Sequence, residues 1–369
     1  MLAGFCRGMT AWLSSLYGAA ATRRRRWYFG DPSRRRQLRQ PVISIGNLSV
    51  GGSGKTPITA AVARLLIQRG ERPSILSQGY RRPRPQDGVT IVSDGVEVRA
   101  DFDTAGDEPL MLARMLPGAS VLVGSSRYLC GRLAEEKLAA TVHLLDDGFQ
   151  HVELVRDVDL LVASEVDLHD SPLPTGRLRE PLLAAAHADA ALVEAGYDAE
   201  ADRIGRALGV ASVFRVERML GVPRLIATGD TIVVPTDEPV FGLAGIARPE
   251  RFFTGLASAG WRVVGTMAFR DHHAFTDRDI ARVSAAARST GASIVMTTEK
   301  DAVRLTRRQA GSLPIATVPL TASILPVARF AEWLGGLLAA ARSERRSPGP
   351  LQAEPWPDQA AASSRSADS

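Results

Sequence analysis

The sequence contains little cysteine, and its first forty residues contain almost no acid. Only two of the 369 residues are cysteine, Cys6 and Cys130, and they lie far apart without metal-ligand spacing. This usage excludes a disulfide framework and a cysteine-rich metal site, and it indicates a reducing compartment. With 45% hydrophobic and 23% charged residues, the chain is an ordinary globular protein with enough core for two domains.

The shortage of acid is confined to the N-terminal end. Residues 1–40 contain nine arginines and one acid, Asp31, so this end carries a net charge of +8 and the remainder −3. Apolar residues from Leu2 to Ala20 recur at steps of three or four, with small and polar residues such as Ser14 and Ser15 on the other side. The pattern predicts an amphipathic helix beside a polybasic cluster.

Several functions compete for this helix. A secretory signal carries its charge before the apolar stretch, whereas here most of the charge follows it. A spanning helix needs roughly 20 mostly apolar residues, and Arg7, two glycines and a serine pair interrupt this one. An in-plane anchor fits better, because arginines near a membrane surface each add about 1 kcal/mol of attraction to anionic lipid. The alternative is a helix packed on the protein's own core; nucleic acid is not an expected partner, because no basic-aromatic pattern recurs.

The most informative segment is the glycine-rich stretch that follows the apolar residues 41–45. Glycines let successive backbone N–H groups point at phosphate oxygens, Lys55 would reach the β- and γ-phosphates, and the Thr56 hydroxyl would ligate Mg²⁺. Apolar residues at helical spacing follow, so the order is strand, loop and helix, as in a nucleotide-binding P-loop. The usual first glycine is replaced by Ser49, and an ordinary tight strand-to-helix turn is the alternative. The predicted cofactor-binding residues are Gly51, Gly52, Ser53, Gly54, Lys55 and Thr56.

Short apolar strands alternate with helical stretches along the rest of the chain, which predicts a mostly parallel α/β sheet. Ligands bind beyond the carboxyl ends of the strands in such sheets, so the loop, Asp107 and Asp146 should converge there. The predicted strands are residues 74–77, 120–124, 141–145 and 159–163, and residues 89–99 are predicted to form a hairpin.

Acidic groups at two places are candidates for chemistry. Asp146 ends an apolar strand, which is where P-loop enzymes hold Mg²⁺, although an ordinary Asp-Asp-Gly turn has the same letters. Asp107 lies where a helix begins, so a capping role is an equal alternative. Paired histidines such as His272 and His273 are most often surface or packing residues, but a carboxylate-histidine pair across a cleft could deprotonate a substrate hydroxyl.

Eight motifs occur in the order found in tetraacyldisaccharide 4'-kinases, and the sequence resembles that family up to about residue 336. The family's loop normally lacks the first glycine, which accounts for Ser49. Gln78 and Arg177 depart from the usual arginine and proline, without removing a group assigned to chemistry. The motifs are residues 49–57, 77–80, 106–109, 146–151, 176–181, 245–249, 271–272 and 298–301.

The resemblance implies a kinase of lipid A biosynthesis that uses ATP and Mg²⁺. It would phosphorylate the 4'-hydroxyl of a tetraacylated glucosamine disaccharide 1-phosphate as a peripheral monomer at the cytoplasmic face of the inner membrane. The implied organisation is an anchor at residues 1–40, a P-loop domain at 41–210, a smaller α/β domain closing the cleft at 211–340 and a disordered tail at 341–369.

The resemblance also implies a role for each matching residue. Asp107 paired with His272 would activate the sugar hydroxyl. For Arg127 and Arg179, an ordinary surface or strand-end position is the alternative. The resemblance assigns catalysis to Asp107, His272, Lys55 and Arg179, metal binding to Thr56, Asp146, Asp147 and Glu180, and supporting positions to Glu108, Arg127, Gln150 and His151.

A membrane-associated P-loop ATPase that positions other proteins is the rival function. Such switches carry a lysine immediately before the paired glycines, where this chain has Val50. They also need no base for a sugar hydroxyl. A non-catalytic nucleotide-binding scaffold is disfavoured by the intact Lys55, Thr56, Asp146 and Asp107.

Overall fold

The computed structural model describes residues 2–51, 54–79, 82–305 and 313–346, with side chains from residue 12 to residue 345. Gly52, Ser53 and most of the predicted tail lie outside these residues. Within them the chain forms two sheets flanked by helices.

The larger sheet carries the predicted phosphate loop. The described residues give it nine strands in the order β14-β8-β7-β6-β1-β5-β2-β4-β3. All neighbours are parallel except the edge strands β3 and β14, which run antiparallel to β4 and β8. The mostly parallel α/β prediction is therefore confirmed. The strands are β1 (Val42–Gly46), β2 (Pro73–Ser77), β3 (Val89–Asp94), β4 (Ser120–Gly124), β5 (Val142–Asp146), β6 (Val158–Ala163), β7 (Ala190–Glu194), β8 (Ser212–Leu220) and β14 (Leu320–Leu325).

Central strands such as β1 and β5 are buried along their whole length, because helices cover both faces of the sheet. The predicted hairpin at residues 89–99 is only partly formed: β3 turns back to a single bridge between Ser93 and Val98, and its ladder partner is β4. The helices are α1 (Leu2–Phe29), α2 (Lys55–Gln68), α3 (Phe102–Ala105), α4 (Asp107–Met115), α5 (Arg127–Lys137), α6 (Glu165–Leu168), α7 (Asp198–Leu208), α8 (Pro249–Ser258), α9 (Asp277–Ser289), α10 (Glu299–Ala302) and α11 (Val327–Arg346).

The smaller sheet has the order β11-β10-β12-β13-β9 among the described residues. The predicted domain boundaries at 211 and 340 are wrong, because β8 and β14 extend the larger sheet and α11 packs on its core through Phe330 and Leu334. Helix α11 also continues to Arg346, beyond the predicted start of the tail. The strands are β9 (Arg224–Leu225), β10 (Pro239–Ala244), β11 (Arg262–Ala268), β12 (Ile294–Thr298) and β13 (Ile315–Val318).

Helix α1 packs on the larger domain through its polar and small residues. Ser14 is buried and its Oγ lies 2.6 Å from Oγ1 of Thr175, and Gly18 lies against Pro181. The apolar residues face outward; Trp12 is 61% exposed. The alternative of an apolar face packed on the protein's own core is therefore wrong for the described side chains. In the part of the chain that the structure describes, no helix combines the length and apolar content needed to span a bilayer.

Candidate active site

The loop between β1 and α2 has glycines with positive φ at two of its described residues. Gly51 has φ 101° and Gly54 has φ 66°, values that residues with a side chain rarely adopt. Helix α2 begins directly after Gly54, so N–H groups of its first turn face the loop. The Nζ atom of Lys55 donates to Oδ1 of Asn47 at 2.8 Å, and Thr56 is half-buried in the same turn.

Asp146 is a buried carboxylate at the carboxyl end of β5, next to β1. Its Oδ1 accepts a hydrogen bond from Oγ1 of Thr59 at 3.1 Å. Burial, with the negative charges of Glu108 and Asp147, raises the pKa of Asp146 to about 7. A cation beside this carboxylate would therefore stabilise its charged form.

Asp147 already has cationic partners. Its two carboxylate oxygens accept hydrogen bonds from Arg179 at 2.8 and 2.9 Å, and Oδ1 lies 3.3 Å from Nζ of Lys55. Burial alone would raise its pKa, but the hydrogen bond from Arg179 and the charge of Lys55 lower the pKa to about 2. Arg179 also donates to Oδ1 of Asn47 at 2.6 Å. Asn47, which the motif analysis missed, therefore joins Lys55 and Arg179.

The predicted metal site fits the structure only in part. The Thr56 hydroxyl and the buried Asp146 carboxylate are oxygen groups of the kind that Mg²⁺ prefers, and these two residues would hold it. The metal role predicted for Glu180 stays a prediction, and both of its oxygens accept hydrogen bonds from Arg25 of α1, at 2.7 and 2.9 Å. Among the described residues, no cluster of three or more acidic, histidine or cysteine side chains could hold a metal ion. Mg²⁺ at this loop would thus take few protein ligands and complete its shell with phosphate and water.

Asp107 and His272 meet across the two domains. The Nδ1 atom of His272 lies 2.8 Å from Oδ2 of Asp107, which begins α4. The other oxygen, Oδ1, accepts the backbone N–H of Glu108 at 3.0 Å. Burial tends to raise the pKa of Asp107, but the hydrogen bond from His272 and the charge of Lys300 outweigh it and lower the pKa below its ordinary value. Asp107 is therefore ionised at neutral pH.

Lys300 is a member of this group that the role assignment missed. Its Nζ lies 3.2 Å from Oε1 of Glu108, 3.4 Å from Nε2 of His272 and 3.7 Å from Oδ1 of Asp271. With Lys300 donating to Nε2, the partners assign the His272 proton to Nδ1, where it faces Asp107. The sequence did indicate Lys300, because it belongs to the motif at residues 298–301, but no role was assigned to that motif.

The loop that carries His272 is held by α10 and the residues after it. Asp301 accepts the backbone N–H of Gly245 at 3.0 Å, and Arg304 donates to the carbonyls of Gly245 and His273. Arg304 also lies 3.7 Å from Oδ2 of Asp107. The motifs at residues 245–249, 271–272 and 298–301 thus form one unit at the edge of the smaller sheet.

The remaining supporting residues surround the end of β5. Gln150 donates from Nε2 to the carbonyl of Asn47 at 3.1 Å. Arg127 is buried at the start of α5, where burial lowers its pKa, and its Nη1 donates to the carbonyl of Gly124. Nε2 of His151 lies 3.3 Å from Oε1 of Glu153.

His151 makes stability depend on pH. Burial and then the charge of Arg127 lower the pKa of His151 to about 4. The unfolded chain takes up this proton near pH 6.5 and the folded protein only near pH 4, so stability is lost as pH falls between those values. Between pH 7 and pH 5, we expect the wild type to lose up to about 2 kcal/mol more unfolding free energy than His151→Gln. Urea denaturation at both pH values measures this; equal losses in the two proteins would contradict the assignment.

Comparison with known proteins agrees with the motifs. A family model described as tetraacyldisaccharide-1-P 4'-kinase matches residues 8–339. The chain belongs to the tetraacyldisaccharide 4'-kinase family. A tetraacyldisaccharide 4'-kinase of Geobacter metallireducens is 39% identical over 310 residues, which cover 83% of this chain and 90% of the relative. The corresponding enzyme of Desulfotalea psychrophila is 38% identical over 302 residues, which cover 79% and 86%.

The fold agrees with the same family. The crystal structure of LpxK from Aquifex aeolicus in complex with ATP matches with a TM-score of 0.73 and 30% sequence identity, covering 90% of this chain and 99% of that chain. The resemblance inferred from the motifs is confirmed. The chain described here is therefore a kinase of this family.

Proposed function

We propose that the chain transfers the γ-phosphoryl group of ATP to the 4'-hydroxyl of a tetraacylated glucosamine disaccharide 1-phosphate in lipid A biosynthesis. The observation that carries the proposal is the Asp107–His272 pair, with Nδ1 and Oδ2 2.8 Å apart. It is assembled from both domains beside the sheet edge that carries the phosphate loop. Burial and then the charge of Glu108, the residue after Asp107, raise the pKa of Asp146.

The phosphate side of the site supplies positive charge. Phosphoryl transfer needs positioning and charge neutralisation more than covalent chemistry. Lys55 and Arg179 lie on either side of Asp147 and share Asn47 as a hydrogen-bond acceptor. In the proposal they bind the phosphate oxygens, and Mg²⁺, held by Thr56 and Asp146, would neutralise the phosphate charge when bound.

The acceptor side of the site supplies the base. Asp107 is ionised and its Oδ2 lies 2.8 Å from Nδ1 of His272, so in the proposal its carboxylate accepts the proton of the sugar hydroxyl. His272 holds the carboxylate in place and stabilises its charge. In the proposal the smaller domain completes the site, because His272 and Lys300 come from that domain and Asp107 from the other.

A test of this function follows ADP formation with and without the lipid acceptor. We expect purified enzyme with Mg²⁺ and ATP to form ADP only when the tetraacyl disaccharide 1-phosphate is present in mixed micelles. ADP formation stimulated equally by lipid vesicles that lack the acceptor would instead support the rival ATPase switch.

Lys300→Met tests the contribution of the second domain to the base. The variant loses the donor at Nε2 of His272 and the partner of Glu108, so His272 is less well held against Asp107. We expect kcat to fall about tenfold or more, because a small misplacement of reacting groups is costly. The matched control is Lys137→Met, an exposed lysine at the end of α5. Equal kcat values in the two variants would exclude Lys300 from the site.

We also propose that α1 anchors the enzyme in the plane of the membrane. Trp12, Leu13, Leu16 and Tyr17 form an exposed apolar face, and the exposed arginines Arg23, Arg24 and Arg26 follow on the same helix. An apolar face next to basic residues suits the boundary between headgroups and acyl chains of anionic lipid.

The double variant Trp12→Ser/Leu16→Ser tests the anchor. We expect its partition onto anionic vesicles, measured by flotation, to fall about tenfold or more, because two large apolar groups no longer enter the lipid. The control Val96→Ser/Val233→Ser changes valines that are 89% and 91% exposed in other parts of the chain. A loss of binding in the control as large as in the α1 variant would contradict an anchor located in α1.

A further inference from the structure

Arg25 is buried within a cluster of otherwise exposed arginines. It is 4% exposed, whereas Arg23, Arg24 and Arg26 are exposed. A residue whose function was only to attract anionic lipid would be expected at the surface like its neighbours. The burial of Arg25 therefore requires a separate explanation.

The guanidinium of Arg25 joins two segments of the larger domain. Its Nε and Nη2 donate to the two oxygens of Glu180 at 2.7 and 2.9 Å, which is a bidentate pair. Its Nη2 also donates to the carbonyl of Phe149 at 3.0 Å, and the guanidinium lies 4.6 Å from the centre of the Phe149 ring. The neighbouring Arg24 contacts the same segment as Phe149, because it donates to the carbonyl of Gln150 at 2.8 Å.

Both segments adjoin the nucleotide site. Phe149 lies two residues after Asp147 and packs closely on β1. A Cβ added to Gly46 of this strand would lie 2.6 Å from the Cβ of Phe149. Glu180 directly follows Arg179, whose backbone N–H donates to the carbonyl of Leu48 at 2.6 Å. The carboxylate of Asp147 and the guanidinium of Arg179 meet between these segments.

A buried ion pair is weak grounds for a purely stabilising role. The cost of removing two charges from water offsets much of their attraction, and apolar replacements of such pairs are often neutral. A bidentate arginine instead fixes the orientation of its partner. Here the two segments that Arg25 contacts carry Asp147 and Arg179.

We propose that Arg25 is a positioning residue for phosphoryl transfer, which holds from helix α1 the two segments that carry Asp147 and Arg179. The membrane-anchoring helix and the phosphate site then form one mechanical unit. This inference rests on the proposed function, because it takes Arg179 to act on the phosphates.

The first test compares Arg25→Met with Arg262→Met. Both variants remove one positive charge, but Arg262 is exposed at the start of β11, outside the anchor and the site. We expect kcat of Arg25→Met to be about tenfold or more below that of Arg262→Met, because Arg179 is displaced from its productive position. The KM for the lipid should be the same in both. Equal kcat values would overturn the proposal.

The double variant Arg25→Met/Glu180→Met separates positioning from folding. Arg25→Met alone leaves the Glu180 carboxylate buried without its partner, so it should lower Tm, and removal of both charges should restore much of that loss. A positioning role predicts that kcat stays low in the double variant although Tm recovers. Recovery of kcat together with Tm would show that Arg25 serves only folding and would overturn the proposal.

Arg179→Ala distinguishes this failure from failure of the proposed function. If wild-type enzyme transfers phosphate and Arg179→Ala does not, the phosphate site is correct, and the Arg25 variants alone decide the inference. If Arg179→Ala keeps wild-type kcat, the assignment of Arg179 fails and the Arg25 proposal fails with it.

Discussion

Lys55→Ala is expected to reduce phosphoryl transfer by at least about a thousandfold in kcat, because the cation at the phosphate loop stabilises charge that develops in the transition state. In the structure this ammonium group is held by Asn47 at 2.8 Å and lies 3.3 Å from Asp147. Asp147 keeps its two hydrogen bonds from Arg179 in the variant, so the fold should survive. Transfer of label from γ-labelled ATP to lipid, with Tm as a check on folding, measures the effect.

The chain supplies a matched control for this experiment. It contains only three lysines, Lys55, Lys137 and Lys300, and Lys137 is exposed at the end of α5. Lys137→Ala should retain wild-type kcat. A turnover number for Lys55→Ala close to that of Lys137→Ala would refute the phosphate-loop assignment.

Asp107→Asn is expected to lower kcat by about a thousandfold, the middle of the range for loss of a general base. The amide keeps the size of the side chain but cannot accept the hydroxyl proton as a carboxylate does. ATP affinity should change little, because Asp107 lies on the acceptor side with His272 and Lys300 and not on the loop. Equilibrium ATP binding and single-turnover lipid phosphorylation measure the two effects separately.

Asp103→Asn is the control for Asp107→Asn. Asp103 lies in α3, directly before α4, and its carboxylate pairs with Arg84 at 2.7 Å on the surface. Its replacement removes one acid from the same region without touching His272. Full lipid phosphorylation by Asp107→Asn would exclude Asp107 as the base, and ADP formation without any need for the acceptor would favour the ATPase switch.

Local patterns were sufficient to predict the strand, turn and helix of the candidate phosphate loop. A buried strand, a glycine turn and an amphipathic helix are contiguous in the sequence, so β1, the loop and Lys55 could be predicted from residues 41–70 alone. The acid at the end of β5 was predicted in the same way, because a parallel strand next to β1 brings Asp146 to the same sheet edge.

Contacts between distant segments could not be predicted in this way. The Arg25–Glu180 pair joins residues 155 positions apart, and nothing near Glu180 in sequence shows where its partner lies. Lys300 was missed for the same reason, since its contact with Glu108 exists only after the smaller domain packs on α4, and its contact with His272 joins two separate segments of the smaller domain.

The amphipathic pattern of α1 could be predicted from the sequence, whereas the choice between an in-plane anchor and a helix packed on the core stayed open. Periodicity identifies two faces of a helix without saying which face meets the protein. In the structure Ser14 and Arg25 are buried and Trp12 is exposed, because residues 171–187 offer hydrogen-bonding partners and a close approach to Gly18. The domain boundaries were hard to predict for a similar reason. The sequence patterns of β8 and β14 do not show which of the two sheets each strand joins.

The most direct test of the central claim is the position of the transferred phosphate. Wild-type enzyme is incubated with Mg²⁺, γ-labelled ATP and either the tetraacyl disaccharide 1-phosphate or its 4'-deoxy analogue, and the lipid is analysed by thin-layer separation and ³¹P NMR. We predict label in the first lipid as a second phosphate monoester at the 4'-position, and none in the 4'-deoxy analogue. Label in the analogue, or label released only as inorganic phosphate, would contradict phosphoryl transfer to the 4'-hydroxyl at this site.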